Sequence, residues 1–382
     1  MLWAKRGWAS PGSQFLRAAE QLGASDAWDF VDNSYMRAGV VTTNAGLTVT
    51  RASEGYAQRE DGIWVNFASG ALRRTDKGAL IEGARTNRAL HSRDLTQAAW
   101  TATNVTVARD QVGVDGLANT ACSLTATAGN GTVLQAVTDT SKARYFSVWI
   151  KRITGTGTVE VTLDNGSTWT AVTVTSAYTR VGATQTLANP TVGVRIVTSG
   201  DAVAADFAQL EDGSAASSPI ATAGTAVTRA ADQVGATISG YAYPMSAFAE
   251  WVKVFEAAEN FPRVFGVGPI LNGFSIFHRN STNRIAAIMI TSGAGQADLG
   301  TRTGALNTIQ RAAARAQTDN MAISVNGLAA ETDTLATMPA APTYITVGDA
   351  DTGDGRYLNG YVRKLALFSA ALTNAQLQGL ST

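Results

Sequence analysis

Five residues in the middle of the chain, Tyr145, Trp149, Trp169, Tyr178 and Arg180, have the side-chain types that recognise sugars. The apolar C–H face of a pyranose stacks on an aromatic ring, while nearby amide, carboxylate or guanidinium groups satisfy its hydroxyls. In Tyr145-Phe-Ser-Val-Trp-Ile-Lys151, strand alternation puts Phe146, Val148 and Ile150 on one face and Tyr145 and Trp149 on the other. With the first three facing a core, the aromatic pair faces outward, where a large ring needs a reason. That reason is either a ligand or packing against the N-terminal segment or a neighbouring subunit.

A second constellation is the loop Gly348-Asp-Ala-Asp-Thr-Gly-Asp-Gly355. Asp349, Asp351 and Asp354 crowd three oxygen donors together, and Gly353 and Gly355 let the backbone turn sharply. Calcium favours such donors, although the spacing is not that of an EF-hand; an Asp/Gly-rich turn is the alternative. Calcium is the one ion the sequence suggests, and no cofactor is required.

Catalysis has little support. There are only two histidines, His91 and His278, neither with a visible partner group. Nucleophile-elbow, zinc-helix and phosphate-loop motifs are absent. Two carboxylates at a suitable separation can cleave a glycoside, and Glu160 with Asp164 or Glu250 with Glu256 are candidates, but acidic residues on strands are usually solvated. The chain reads as a binding protein rather than an enzyme.

The elements that must position these residues are β-strands. At 382 residues, with 45% apolar residues, the chain suits two or three domains with sizeable cores. Its 37 glycines and its wealth of Thr and Val favour strands and tight turns. Lys plus Arg equals Asp plus Glu at 30 each, so charge gives no reason to bind nucleic acid or an anionic membrane. The lone Cys122 reads as a small buried strand residue. The first eight residues lack the apolar region of a secretory leader, and no apolar run reaches the roughly 20 residues of a membrane helix; synthesis in a cytoplasm follows.

Along the chain, residues 1–87 are heterogeneous, with a short helix ending at Gly23 and a few short strands. They read as a small mixed docking segment. Residues 88–228 alternate short β runs with turn signals, including Asp164-Asn-Gly166, at the spacing of an all-β sandwich. Residues 214–224 are a connector, and residues 236–382 hold a second, self-contained set of strands ending in a short helix capped by Thr373. The predicted fold is all-β, two jelly-roll-type sandwiches in series behind the docking segment.

The run Gly78-Ala-Leu-Ile-Glu-Gly-Ala-Arg-Thr-Asn87 resembles one found in tailed-bacteriophage structural proteins, where it precedes a β-sandwich similar to a carbohydrate-binding module. Trp100, Asn104-Val-Thr-Val107, Tyr145–Lys151, Leu163-Asp-Asn-Gly-Ser-Thr-Trp169, Ala205-Asp-Phe-Ala-Gln-Leu-Glu211 and Thr228-Arg-Ala-Ala-Asp232 continue the resemblance. Downstream, a strand with Trp251, then Asn320-Met-Ala-Ile-Ser-Val-Asn-Gly327, Tyr357–Phe368 and the closing helix resemble a laminin-G or concanavalin-A-like jelly roll. The resemblance implies a virion appendage protein, a tail fibre or head spike, held to other virion proteins by its N-terminal segment. It implies attachment to host surface polysaccharide and a homo-oligomer whose many weak sites act together. A structural decoration protein and a polysaccharide depolymerase are the alternatives.

Overall fold

The computed structural model describes residues 13–256, 261–349 and 355–382. Strand alternation builds its larger unit, here called the host sandwich. Along Met245–Lys253, Ala247, Ala249 and Trp251 point into the core, while Phe248 and Glu250 point away. In the adjacent Gly360–Phe368, Val362, Leu365 and Leu367 point inward, and Ala366 and Phe368 outward.

One sheet runs in the order Glu331–Asp333, Met321–Val325, Gln310–Ala316, Met245–Lys253, Gly360–Phe368, Ala24–Asp29, Ser34–Arg37, Val40–Thr42. The facing sheet runs Ala294–Thr303, Arg284–Thr291, Gly273–Arg279, Arg263–Val267, Tyr344–Val347, Gln233–Thr237, Thr48–Thr50. Two short helices cover the outer face of the first sheet. Gln14–Gln21 starts at Ser13, whose hydroxyl accepts from Leu16 N and satisfies one orphan amide. Asn374–Leu380 starts with a reciprocal box between Thr373 and Gln376. Leu16, Ala19 and Leu377 pack there on Phe248, Ala313 and Phe368.

The all-β class and the two sandwiches are as the sequence predicts. The N-terminal segment, residues 1–87, is placed differently. Its strands Ala24–Asp29 and Gly78–Ile81 lie end to end along one edge of Gly360–Phe368. Thr48–Thr50 pairs with Gln233–Thr237 in the other sheet. Residues 236–382 therefore do not form a self-contained set: both sheets are completed from the N-terminal side, because the last long strand would otherwise expose an unpaired edge. The two sandwiches are not simply in series; one is inserted into the other.

The inserted sandwich has two five-stranded antiparallel sheets. One runs Thr101–Thr103, Gly131–Ala136, Thr191–Ile196, Val159–Thr162, Thr170–Val172; the other runs Val105–Gln111, Ala121–Ala126, Ala202–Asp212, Lys142–Thr154, Thr179–Leu187. Phe146, Val148 and Ile150 face the core between them, as alternation predicts. Cys122 is buried there, and burial pushes its thiol up to about 11.

The chain enters and leaves this sandwich through a two-stranded neck, Arg85–Asn87 against Val227–Arg229. At its base lies a buried ionic network. Arg73 holds Glu82 at 2.7 Å and also pairs with Asp232; Arg51 holds Asp232 at 2.9 Å; Arg229 stands 3.5 Å from Glu82. Burial alone would raise the Glu82 carboxyl, but Arg229, Arg73 and hydrogen bonds from Ser218 hold it at about 2. At the top of the neck the Asn87 amide is fully used: Nδ2 donates to Ala208 O and Ile220 O, and Oδ1 accepts from Ala89 N and Leu210 N.

Asn87 and Val227 are cross-strand neighbours, so an Asn-Gly turn in place of residues 88–226 can close the neck. That shortened chain should fold, with a far-ultraviolet spectrum of β type and a cooperative melt. A fragment of residues 236–382 alone should not melt cooperatively. A cooperative melt from the fragment would show that the N-terminal strands are dispensable.

Candidate glycan-binding surfaces

The five aromatic and guanidinium residues are not gathered into one open platform. Trp149 and Tyr145 do point away from the core of their strand. That face, however, is covered around Trp149. The hairpin Gly55–Gln58 and Trp64–Phe67 of the host sandwich comes up against it. Trp149 meets Trp64 edge-on, with ring centroids 5.9 Å apart, in a small cluster with Tyr56, Val114, Phe207 and Tyr178. Tyr178 donates its hydroxyl to Val112 O at 2.9 Å and carries the Lys151 ammonium 4.7 Å above its ring. Arg180 lies 6.0 Å from the Trp149 ring, and its Nε donates to Ser147 Oγ at 3.1 Å. Its Nη1 is tied to Ser217 O in the returning connector. Of the two reasons for an outward aromatic, packing against the N-terminal segment is the one realised at Trp149.

Tyr145 is half-buried on the same sheet, with its ring alongside Gly182. Trp169 lies apart from the others, just before Thr170–Val172 in the opposite sheet. It leans over Gly166, and the Arg195 guanidinium stacks 4.3 Å from its ring centroid. Arg195 in turn donates from Nε to Glu160 at 2.5 Å. Trp169, Arg195 and Glu160 thus form a stacking element on the outer face of that sheet.

The other candidates are committed elsewhere. His278 is buried and its Nε2 accepts from Trp251 Nε1 at 2.6 Å. Burial, and then the Lys253 charge, push its imidazole down to about 3, so the ring is neutral. Glu250 is buried between Arg311 at 2.7 Å and Arg363 at 3.0 Å; Glu256 reaches Lys253 at 3.7 Å. Asp164 accepts from Thr168 N and Gln185 Nε2. Of the acidic loop, Asp349 is almost fully buried, and Asp351 and Asp354 lie outside the described residues. Among the described residues no three His, Cys, Asp or Glu side chains group as metal ligands.

Sequence reasoning missed a groove of about 250 Å³ on the outer face of the second sheet of the host sandwich. Its floor comes from a row across the strands, Thr48, Gly235 and Thr346, each paired with the next; Gly266 and Ser275 continue the row beyond the groove. Gly235, with no side chain, lowers that floor. A Cβ on Gly235 would stand 2.5 Å from Ile345 O, and one on Gly266 would stand 2.5 Å from Thr346 Oγ1. Thr50, Gln233, Thr237 and Tyr344 form the walls. The Thr346 hydroxyl is buried without a hydrogen-bond partner. The groove is neutral along its length except at Asp349. One sequence signal was available: in Gln233-Val-Gly-Ala-Thr237, Val234 and Ala236 take the core face, which leaves Gly235 outward.

Residues 230–378 match the Laminin_G_3 family model, described as the concanavalin A-like lectin/glucanases superfamily. The host sandwich carries a concanavalin A-like lectin-type domain. Solved structures similar to the chain include a native heptameric SAP-like pentraxin from Limulus polyphemus, 12% identical, with 36% of this chain and 70% of that chain covered and a TM-score of 0.29. Domain 4 of AbnA, an extracellular arabinanase of Geobacillus stearothermophilus in complex with arabinotriose, is 14% identical, with 40% and 73% covered and a TM-score of 0.32. A Trypanosoma rangeli sialidase is 15% identical, with 36% of this chain covered and a TM-score of 0.29; the chain spans 22% of that enzyme. No curated protein matches the chain. The lectin-type domain therefore spans more than the matched segment, since residues 24–81 contribute strands to both its sheets.

Two outcomes follow from these placements. Trp149→Ala should destabilise the whole chain by about 3 kcal/mol, the scale of a lost packed aromatic. A chemical-denaturation midpoint equal to wild type would return Trp149 to the list of free surface residues. For His278, the unfolded chain binds a proton below about 6.5 and the folded chain does not until about 3. Stability should therefore fall as pH drops from 6.5, by at most about 1.4 kcal/mol per pH unit from this group. His278→Gln should flatten the stability profile between pH 6.5 and 5; an unchanged slope there would place the titration elsewhere.

Proposed function

We propose that the chain is a glycan-binding attachment protein of a tailed-phage-type particle, and that the groove of its lectin-type domain takes a neutral saccharide. The groove carries the reading. An outward glycine, Gly235, opens a depression in a sheet whose other residues there include threonine hydroxyls, an amide, a tyrosine ring and, at one end, Asp349. Threonine and glutamine side chains both donate and accept, as sugar hydroxyls require, and Tyr344 supplies an apolar edge. Apart from Asp349 the walls carry no charge to attract a charged ligand. The Thr346 hydroxyl, short of a partner, gains a hydrogen bond when a ligand hydroxyl reaches it. Trp169 with Arg195 is a second, smaller contact surface on the inserted sandwich.

The virion part of the proposal rests on the resemblance of Gly78–Asn87 and the text after it to tailed-phage structural proteins. In this reading the protein acts by non-covalent, multivalent attachment and releases no reducing ends from capsule.

The test is a glycan array with the purified full chain, followed by calorimetry on the best ligand. Gln233→Ala should weaken binding roughly 2- to 10-fold, one hydrogen bond's worth at about 0.5–1.5 kcal/mol. Thr48→Arg should abolish it by filling the groove, with the melting temperature unchanged in both. Undiminished binding by both variants would overturn the groove assignment, and loss on Trp169→Ala alone would move the site to the inserted sandwich. Antibody labelling of intact particles tests the virion assignment separately.

A further inference from the structure

The groove has a neighbour beyond Thr237. Along Gln233–Thr237 the core takes Val234 and Ala236, and just past the strand it takes Ile238. The pairing runs on that far, since Ile238 N donates to Thr343 O at 2.9 Å. Alternation therefore leaves Gln233, Gly235, Thr237 and Ser239 outward. The first three line the groove; Thr237 and Ser239 line a second cavity, of about 360 Å³. At about 3.3 Å per residue the four positions span roughly 20 Å.

The second cavity lies where the N-terminal strands meet this outgoing chain. Ser25 and Asp26 come from Ala24–Asp29, Arg37 from Ser34–Arg37, Ser239 and Tyr241 from the segment after Gln233–Thr237, and Ser369 from the end of Gly360–Phe368. Asp26 and Arg37 are its only charged residues. They pair at 2.7 Å, with side chains 8% and 24% exposed, so the cavity carries no net charge. Asp349, the charge of the groove, is at the far end: Thr237 pairs with Tyr344 and Gly235 with Thr346, which puts residue 349 beyond Gln233.

The ion pair is fixed in place. The guanidinium lies 5.2 Å from the Trp28 ring centroid. Nε donates to Asp26 Oδ1, Nη1 to Ala45 O and Gly46 O, and Nη2 to Thr237 O. Four of the five N–H groups of an arginine are thus used. Asp26 Oδ1 also accepts from Ala38 N, and Oδ2 accepts from the Tyr241 hydroxyl at 2.7 Å, which leaves Oδ2 one lone pair. A rigid pair with one donor and one acceptor to spare matches two neighbouring sugar hydroxyls, each able to accept and donate. The exposed Ser239 and Ser369 hydroxyls supply further contacts of the same kind.

We propose that this cavity is a second saccharide subsite, continuous with the groove through Thr237, so that the lectin-type domain takes an extended stretch of a neutral glycan chain. Asp26 and Arg37 hold the hydroxyls of one sugar, and the groove holds sugars further along. The proposal rests on the saccharide reading of the groove. Pockets that enclose a whole small ligand run to about 300–1,000 Å³; the groove alone falls short of that range, and the two places together lie inside it.

The test is calorimetry on the full chain with the best neutral glycan of the array, supplied as a length series from disaccharide to hexasaccharide. Affinity should rise at least about tenfold along the series, the worth of two hydrogen bonds. Ser239→Trp, at an exposed position, should keep the melting temperature and the disaccharide affinity and remove the gain with length. Thr48→Arg should abolish binding at every length. In case Ser239→Trp melts early, Ser369→Arg blocks the cavity from another wall and should give the same result. A gain with length that survives both cavity variants, or an affinity that does not depend on length, would overturn the subsite and leave the groove standing. No glycan binding by the wild-type chain would overturn the groove reading and the subsite with it.

Discussion

The structure depends on a cluster of charges withdrawn from water at the neck. Arg51, Arg73, Arg229, Glu82 and Asp232 come from distant points of the chain and meet in one buried knot. Any one of these ions alone in the interior would be untenable; together they are tolerable only in the geometry that pairs them. Backbone bonds reinforce it, since Glu82 N donates to Asp232 and Asp232 N donates to Glu82 O. The outgoing and returning chains are thereby held in one register, which is what allows a whole sandwich to be inserted without loosening the sandwich that hosts it.

That constraint gives the Gly78–Asn87 run a physical meaning. Its first four residues are a strand against the last long strand of the host. Glu82 is the centre of the ionic knot. Arg85 reaches Asp212 O, Thr86 meets the Thr228 hydroxyl at 2.8 Å, and Asn87 ties the first strand of the neck to the inserted sandwich. Its first half thus anchors in the host, where Ala79 and Ile81 join the core, and its second half serves the joint. The run is the outgoing connector between the host and the inserted sandwich.

The joint also explains why an outward aromatic face is not a free face. The inserted sandwich starts and ends at the neck, so one of its sheets lies close to the host. The connector at Ser217 and Ser218 and the hairpin at Trp64 then pack onto that sheet, taking Arg180 and Trp149 with them. Open surface is left elsewhere: over the second sheet of the lectin-type domain, where Gly235 lowers the floor, and around Trp169 on the inserted sandwich's other sheet.

Much was legible in the sequence because it depends on local rules. Alternation at 145–150 correctly placed Phe146, Val148 and Ile150 in a core, the Thr373 cap marked the last helix, and glycine-rich turns separated the strands. The lectin-type order after residue 236 was legible only as a resemblance to laminin-G or concanavalin-A-like jelly rolls, which the family match over residues 230–378 supports. Pairing between distant segments was not. No local signal shows that Ala24–Asp29 lies beside Gly360–Phe368, or that Thr48 borders Gly235. Such contacts depend on which sheet edge is left open once the rest has folded, and hydrogen-bonding edges carry no side-chain label. The sequence by itself therefore determined strands, faces and fold class; tertiary structure alone decided the insertion, the buried charges of the neck and which faces remain open to a ligand.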